Sequence, residues 1–220
     1  GMIFLVTLCA VSAEDISTND TYSFDDSSSE FSYPIQNSDL DELGKVSSTE
    51  SGEDLKEGDV GTFDQLNQLV QSSSGTLVLD KDYKKTSDDT VGSEGITIAR
   101  GSSLDTIDGN GHTLDASALR RGFNLSGGRD LVTRNVTFIK GKVDGDGGAV
   151  FADNVEIIFE NCRFINNTAK DGGAIHTDAT PTVKDCYFEN NTADSSGGAM
   201  FVGRLGGLKV QNSTFINNHA

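Results

Sequence analysis

The chain has 220 residues with 34 acidic against 17 basic side chains, a formal net charge of −17. A surface this acidic repels phosphate groups, so we expect neither nucleic acid nor an anionic membrane as a partner. The sequence has no run of 18 apolar residues, which argues against a transmembrane segment, and its 25 glycines with no tryptophan favour short strands joined by turns.

The N-terminal quarter divides into two segments. Residues 1–13 resemble the apolar core and small-residue cleavage site of a secretory signal peptide without its basic n-region, and a buried strand is the alternative. Residues 14–60 hold 14 acidic side chains against Lys45 and Lys56 and contain few aliphatic residues. Such a segment buries too little surface to offset chain entropy, so we interpret it as a disordered, acidic, Ser-rich spacer of a secreted or cell-surface protein.

Order is predicted to begin at a helix. The run Thr62-Phe63-Asp64-Gln65 fits a capping box, and Phe63, Leu66, Leu69 and Val70 share one face of a helix of about three turns. A helix at this place could cover the first turn of a solenoid and protect its strand edge. A helix in an unrelated linker is the simpler alternative.

The rest of the chain repeats. Short alternating runs at 76–79, 95–98 and 106–114 lead to a regular part in which Gly-Gly-Ala recurs at Gly147, Gly172 and Gly197, 25 residues apart. Between these copies runs Phe-x-Asn-Asn, with an earlier, degenerate copy at 135–138 and spacings of 26, 24 and 27 residues. The period predicts an all-β parallel β-helix over 61–220, with about six rungs of about 25 residues, each made of three short strands.

Each repeated residue has a predicted structural role. The phenylalanines are expected to stack inside the solenoid, the corner asparagines to form a ladder, and the glycine pairs to allow positive φ at a turn. The ladder phenylalanines are Phe138, Phe164, Phe188 and Phe215. The ladder asparagines are Asn166, Asn190 and Asn217. The paired glycines are Gly147, Gly148, Gly172, Gly173, Gly197 and Gly198.

These motifs resemble known surface proteins. Gly-Gly-Ala with Phe-x-x-Asn is similar to the repeat of chlamydial polymorphic membrane proteins. The export-like start, the acidic spacer and the runs at 62–66, 76–83 and 107–115 resemble adhesin-like surface proteins of methanogenic archaea. The resemblance covers roughly residues 60–220 and implies a right-handed parallel β-helix of the pectin-lyase type with a role in adhesion. Because the sequence stops at Ala220 just after an Asn-Asn turn, we expect it to be a fragment.

The same fold carries polysaccharide lyases and hydrolases, and glycoside hydrolysis needs paired carboxylates. Asp105, Asp108 and Asp115 with His112 form the best group, but Asp-Gly-Asn-Gly at 108–111 is first of all turn chemistry. The run 144–147, Asp-Gly-Asp-Gly, hints at calcium, yet the later ligands of a calcium loop are missing and a solvated turn is favoured. We expect no catalytic residue, no cofactor and no metal.

Two cysteines and six asparagines remain as modification candidates. Cys162 and Cys186 each precede a ladder phenylalanine by two residues, so they are expected to be neighbours, as free apolar thiols or, alternatively, as a disulfide. Acceptor patterns for N-glycosylation begin at Asn19, Asn124, Asn135, Asn166, Asn190 and Asn212. Asn19 is the favoured site among these, because the ladder could occupy the corner asparagines.

The sequence therefore predicts a secreted or surface adhesin-like protein. Its partners are expected to be extracellular carbohydrate or a surface protein of another cell, bound by exposed strand faces and turn insertions such as 204–207. A polysaccharide-degrading enzyme is the alternative, which needs acids clustered on one exposed face. A structural stalk is the third interpretation.

Overall fold

The computed structural model describes residues 60–99, 101–126, 130–203 and 207–220. The predicted signal peptide, most of the spacer, Asn19 and positions 204–206 of the suggested turn insertion lie outside these residues. Within them the chain forms twenty strands, β1 to β20 in chain order, and one helix, α1, at Phe63–Ser72. The strands run parallel in three long sheets and one short pair, which confirms the predicted parallel β-helix of about six turns.

Successive turns of the chain add one strand to each long sheet. The seven-stranded sheet contains Gly61–Thr62 (β1), Tyr83–Lys84 (β3), Thr113–Asp115 (β6), Thr137–Ile139 (β9), Arg163–Ile165 (β12), Tyr187–Glu189 (β16) and Thr214–Ile216 (β20). The six-stranded sheet contains Gly75–Val78 (β2), Leu104–Asp108 (β5), Leu131–Arg134 (β8), Ile157–Glu160 (β11), Thr182–Lys184 (β15) and Lys209–Gln211 (β19).

The remaining strands complete the wall. The five-stranded sheet contains Ile96–Ala99 (β4), Phe123–Ser126 (β7), Val150–Asp153 (β10), Ile175–Thr177 (β14) and Met200–Val202 (β18). A two-stranded sheet joins Thr168–Asp171 (β13) to Thr192–Ser196 (β17). Inward side chains of the long sheets form one continuous apolar core along the solenoid.

Helix α1 begins as the sequence predicts. The Thr62 hydroxyl accepts the Gln65 N–H, and the Gln65 side chain accepts the Thr62 N–H, which completes the capping box. Phe63, Leu66 and Val70 are buried against the first strands. Leu69, predicted on the same face, is 37% exposed, so the buried face of the helix is narrower than the predicted apolar one.

The four predicted phenylalanines stack inside the seven-stranded sheet. Ring centroids lie 5.0 Å apart for Phe138 and Phe164, 4.7 Å for Phe164 and Phe188, and 4.6 Å for Phe188 and Phe215, with nearly parallel planes. The first three rings are fully buried, and Phe215 is partly buried. Burial of each full ring contributes about 1.5–3 kcal/mol, so the stack is a main source of stability.

The asparagine ladder runs one residue later than predicted. Asn166, Asn190 and Asn217 take left-handed backbone conformations, with φ of 56°, 53° and 51°. The next residue of each pair forms the ladder, since Asn191 Oδ1 accepts the Asn167 N–H and Asn218 Oδ1 accepts the Asn191 N–H, both at 3.0 Å. The left-handed residue turns the chain, which sends the second asparagine side chain inward. The prediction assigned both tasks to the first asparagine.

The two glycines of each pair also have different tasks. Gly172 has φ of 66°, and its equivalents at 147 and 197 have nearly the same value, as the turn prediction requires. Gly173 does not have positive φ. A Cβ there would collide with the Gly198 carbonyl of the next rung, so this glycine is needed for close approach of the backbone.

Cys162 and Cys186 form a polar column with Ser213. The Cys162 N–H donates to Cys186 Sγ at 3.4 Å, and the Cys186 N–H donates to Ser213 Oγ at 3.1 Å. Both cysteines are free and buried, and burial raises the pKa of the Cys162 thiol. The thiols therefore act as hydrogen-bonding groups, like the Ser213 hydroxyl on the next rung. The sequence had suggested that they act as small apolar residues.

Candidate functional site

The outer face of the five-stranded sheet carries a column of stacked rings. Val150 and Ala152 of β10 are buried, so strand alternation turns Phe151 outward, and His176 and Phe201 take the register-matched positions of β14 and β18. Ring centroids lie 5.3 Å apart for Phe151 and His176 and 4.9 Å apart for His176 and Phe201. The rings face one another along the solenoid; Phe151 and Phe201 are partly exposed, and His176 is buried between them.

Arg121 extends this column by one rung. Its guanidinium carbon lies 5.1 Å from the Phe151 ring centre, and the residue is only 4% exposed. Its Nε donates to the Gly147 carbonyl and its Nη1 to Glu94 Oε2, both at 2.8 Å, while Nη2 donates to the Asp146 carbonyl. Burial lowers the pKa of Arg121, and the Glu94 carboxylate opposes that shift. Arg121 thus fixes the chain around Asp146 against the preceding rung.

His176 lies between two carboxylates. It is 8% exposed, with its Nδ1 at 3.9 Å from Asp146 Oδ2 and its Nε2 at 4.0 Å from Asp178 Oδ2. The Nδ1 atom has no hydrogen-bond partner in the described part of the chain. Gly203 on the next rung leaves room for the Asp178 carboxylate, since a Cβ there would overlap it. Asp153, the last residue of β10, precedes Asp178 on the neighbouring rung of the same face.

A cleft of about 540 Å³ opens beside Phe151. Its walls are the segments that lead into β4, β7 and β10, namely residues 93–94, 118–121 and 142–146. The Lys142 N–H donates to the Arg120 carbonyl at 3.0 Å, which holds two of these segments together. Leu119 adds an apolar side chain that is 47% exposed. The charged lining residues are Glu94, Arg120, Arg121, Lys142, Asp144 and Asp146.

Two polar atoms of cleft residues lack partners. Arg120 Nε, a donor, and Asp146 Oδ1, an acceptor, are buried and make no hydrogen bond with the described residues. Buried polar groups in folded proteins are almost always hydrogen-bonded, because leaving one unpaired costs about 1–3 kcal/mol. Both residues line the cleft, so a side-chain rotation that exposes these two atoms would let a polar ligand pair with them, and Arg121 holds one of the cleft walls.

The acids proposed from the sequence are not gathered at this cleft. Asp108, in the six-stranded sheet, binds Arg134 Nε and Asn135 Nδ2 at 2.9 Å. Burial raises its pKa, but these hydrogen bonds outweigh burial and hold the pKa below the usual value. Asp115 is buried in the seven-stranded sheet, with Lys140 Nζ at 3.7 Å and Lys84 Nζ at 4.0 Å. Their contacts are those of structural ion pairs.

The other members of that group also lie elsewhere. His112 contacts Asp82, with Nδ1 at 3.2 Å from Oδ1, and Asp105 is exposed on β5. At the suggested calcium turn, Asp144 and Asp146 line the cleft. No set of three or more histidine, cysteine or acidic side chains suited to a metal ion occurs among the residues that the structure describes.

The structure separates the acceptor asparagines by environment. Asn190 and Asn212 are exposed at left-handed corners, and Asn166 is partly exposed at another. The side chain of Asn135 is already hydrogen-bonded, because its Nδ2 donates to Asp108 and its Oδ1 accepts from Asn161. Asn124 lies on the outer face of β7, partly buried. The hydrogen bonds of the ladder are made by the side chain of the second asparagine of each pair, so they do not engage the side chains of Asn166 and Asn190.

Sequence reasoning missed both the outer column and the cleft. A signal for the column was present, because the residue two after each Gly-Gly-Ala is Phe151, His176 or Phe201. Strict alternation counted from the alanine would place all three inward, so the count has to begin at the next residue, Val150, Ile175 or Met200, which is the buried first residue of each strand. The cleft left no comparable signal, because its walls come from segments that differ between rungs.

Comparison with known proteins agrees with this architecture. Residues 86–220, well over half of the chain, match the family model described as "Right handed beta helix region". No curated protein and no solved structure matches the chain. No helix among the described residues is long and apolar enough to cross a membrane.

Proposed function

The chain belongs to the right-handed β-helix family, and on that premise we propose that it is a secreted or cell-surface, adhesin-like protein that binds carbohydrate in the cleft without catalysis. The cleft beside Phe151 is the observation on which this proposal rests. Its volume falls within the range of about 300–1,000 Å³ that is usual for ligand sites.

The chemistry of the lining suits a sugar. A sugar ring has an apolar C–H face and a rim of hydroxyl groups, each of which both donates and accepts hydrogen bonds. Leu119 and the edge of Phe151 offer apolar contact, while Arg120, Lys142 and Asp146 offer hydrogen-bonding groups. Arg121 holds one wall of the cleft before the ligand arrives, which reduces the ordering cost of binding.

Net charge and chain organisation support an extracellular role. The charge of −17 disfavours nucleic acid and anionic membranes as partners. The apolar start and the acidic, Ser-rich segment at 14–60 are features of an exported protein with a spacer. The resemblance to archaeal adhesin-like proteins and to chlamydial polymorphic membrane proteins fits the same role.

Affinity electrophoresis of the full chain through gels with dissolved polysaccharides tests this proposal. We expect at least one polysaccharide to retard the protein. Leu119→Ala and Lys142→Ala should relieve the retardation. Val78→Ala and Lys209→Ala, which alter an exposed apolar and an exposed basic residue of the six-stranded sheet, should not. Retardation that is equal in all four variants would place binding outside the cleft.

A polysaccharide-degrading enzyme is the second candidate. It is favoured by Asp146 and Asp178 on either side of His176, with Asp153 on the neighbouring rung. Two carboxylates across a scissile bond are the requirement of glycoside hydrolysis. Size-exclusion chromatography of the polymer after incubation with the protein separates the two candidates. Intact polymer that carries the protein supports binding, and shortened polymer that depends on Asp178 supports the enzyme.

A further inference from the structure

We propose that the cleft selects an electrically neutral glycan and rejects polymers that carry carboxylate or sulfate groups. This inference rests on the proposed function and narrows its ligand class. It follows from three features of the cleft: the balance of its charges, the occupation of Arg121, and the kinds of polar atom that lack a partner.

The formal charges of the cleft cancel. Three basic side chains, Arg120, Arg121 and Lys142, are matched by three acidic ones, Glu94, Asp144 and Asp146. Asp153 and Asp178 add further negative charge to the neighbouring sheet face, and the whole chain is acidic. An anionic polymer approaching this site meets repulsion with no excess of positive charge to offset it.

Arg121 is poorly accessible to an anion. Its Nε, Nη1 and Nη2 all donate to protein oxygens of Gly147, Glu94 and Asp146. The two N–H groups that remain belong to a residue that is only 4% exposed, so a carboxylate would have to displace the groups that bury it to reach them. The remaining basic groups are Arg120 and Lys142, and Asp144 and Asp146 lie in the same lining.

The unpaired atoms require both a donor and an acceptor from the ligand. Arg120 Nε needs an acceptor, and Asp146 Oδ1 needs a donor. Neighbouring hydroxyl groups of a neutral sugar supply both, after the side-chain adjustment that is common on binding. A carboxylate or sulfate only accepts hydrogen bonds, so it serves Arg120 and is repelled by Asp146.

Polymer pairs that share a backbone and differ mainly in charge test this inference on the full chain. Hydroxyethyl cellulose is compared with carboxymethyl cellulose, and methyl-esterified with de-esterified homogalacturonan, by affinity electrophoresis. We expect the neutral member to bind at least about tenfold more tightly, since like charges at an interface are costly. Tighter binding of the anionic member would overturn the inference and leave carbohydrate binding intact. Absence of binding to every polysaccharide tried, neutral or anionic, would contradict the proposed function itself.

A charge variant provides the second measurement. Asp144→Asn with Asp146→Asn leaves the cleft with a net positive charge, and we expect it to reduce the preference for the neutral polymer by about tenfold or more. The matched control, Asp185→Asn with Asp194→Asn, removes two exposed acids elsewhere, so it changes the net charge of the chain equally. An equal loss of preference in both double variants would show that global charge, and not the cleft, sets selectivity.

Discussion

Replacing Asn191 should cost far more stability than replacing its neighbour Asn190. Asn191 Oδ1 accepts from the Asn167 N–H and Nδ2, and Asn191 Nδ2 donates to the Phe164 carbonyl and Asn218 Oδ1, at 2.8–3.0 Å. At about 1 kcal/mol for each of these bonds, Asn191→Ala is expected to lower the free energy of unfolding by about 4 kcal/mol. The buried position leaves no water to replace them.

The matched control is Asn190→Gly. Asn190 has φ of 53° and is exposed, and glycine adopts that conformation readily, so the expected cost is less than about 1 kcal/mol. Urea unfolding of both variants and the parent chain, followed by circular dichroism, gives the comparison from the shift in midpoint at an unchanged slope. Similar costs for the two variants, or a larger cost at Asn190, would refute the division of tasks between the paired asparagines.

Three further predictions concern the core, the thiols and acid stability. Phe164→Ala should lower the free energy of unfolding by about 3–5 kcal/mol, and Phe215→Ala by clearly less, as measured by urea unfolding. The reason is that Phe164 is fully buried between two rings, whereas Phe215 is partly exposed. Cys186→Ser should have a free energy of unfolding within about 1 kcal/mol of the parent, since Ser213 occupies the equivalent position on the next rung. Cys186→Val should cost about 1–3 kcal/mol more, because it leaves the Cys162 N–H unpaired. Thermal unfolding of the two variants gives the comparison. A hydrogen bond from the Thr90 N–H lowers the pKa of Asp64. Burial raises the pKa of Asp89, but its hydrogen bonds, of which the one from the Thr86 N–H is the strongest, outweigh burial and lower that pKa. Their stabilisation is therefore present above the unfolded value near pH 4 and is lost as pH falls through the lowered pKa. Protection factors of α1, which correct for slower intrinsic exchange at low pH, should therefore fall first on acidification, and Asp89→Asn should weaken this dependence.

Repetition explains why so much of the fold could be predicted. A period of 24–27 residues fixes which phenylalanines lie above one another, and the capping residues of α1 are local. The asparagine ladder was placed one residue early because both members of Asn166-Asn167 have the same side chain. Only the backbone conformation at the first decides which side chain turns inward.

The site was less predictable than the scaffold. The column at Phe151, His176 and Phe201 follows from strand alternation, but the mixture of Phe and His hides the repeat. The cleft depends on segments 118–121 and 142–146, whose sequences are not copies of each other. Their proximity arises from stacked rungs, and the commitment of Arg121 to three oxygens depends on side-chain positions that spacing does not encode.

Hydrogen–deuterium exchange of the full chain, with and without a saturating neutral oligosaccharide taken from a polymer that retards it, tests the central claim most directly. Our account predicts slower exchange in residues 118–121 and 142–146 and unchanged exchange in the six-stranded sheet. Protection confined to the six-stranded or seven-stranded sheet, or no protection at saturation, would contradict the assignment of the cleft as the binding site.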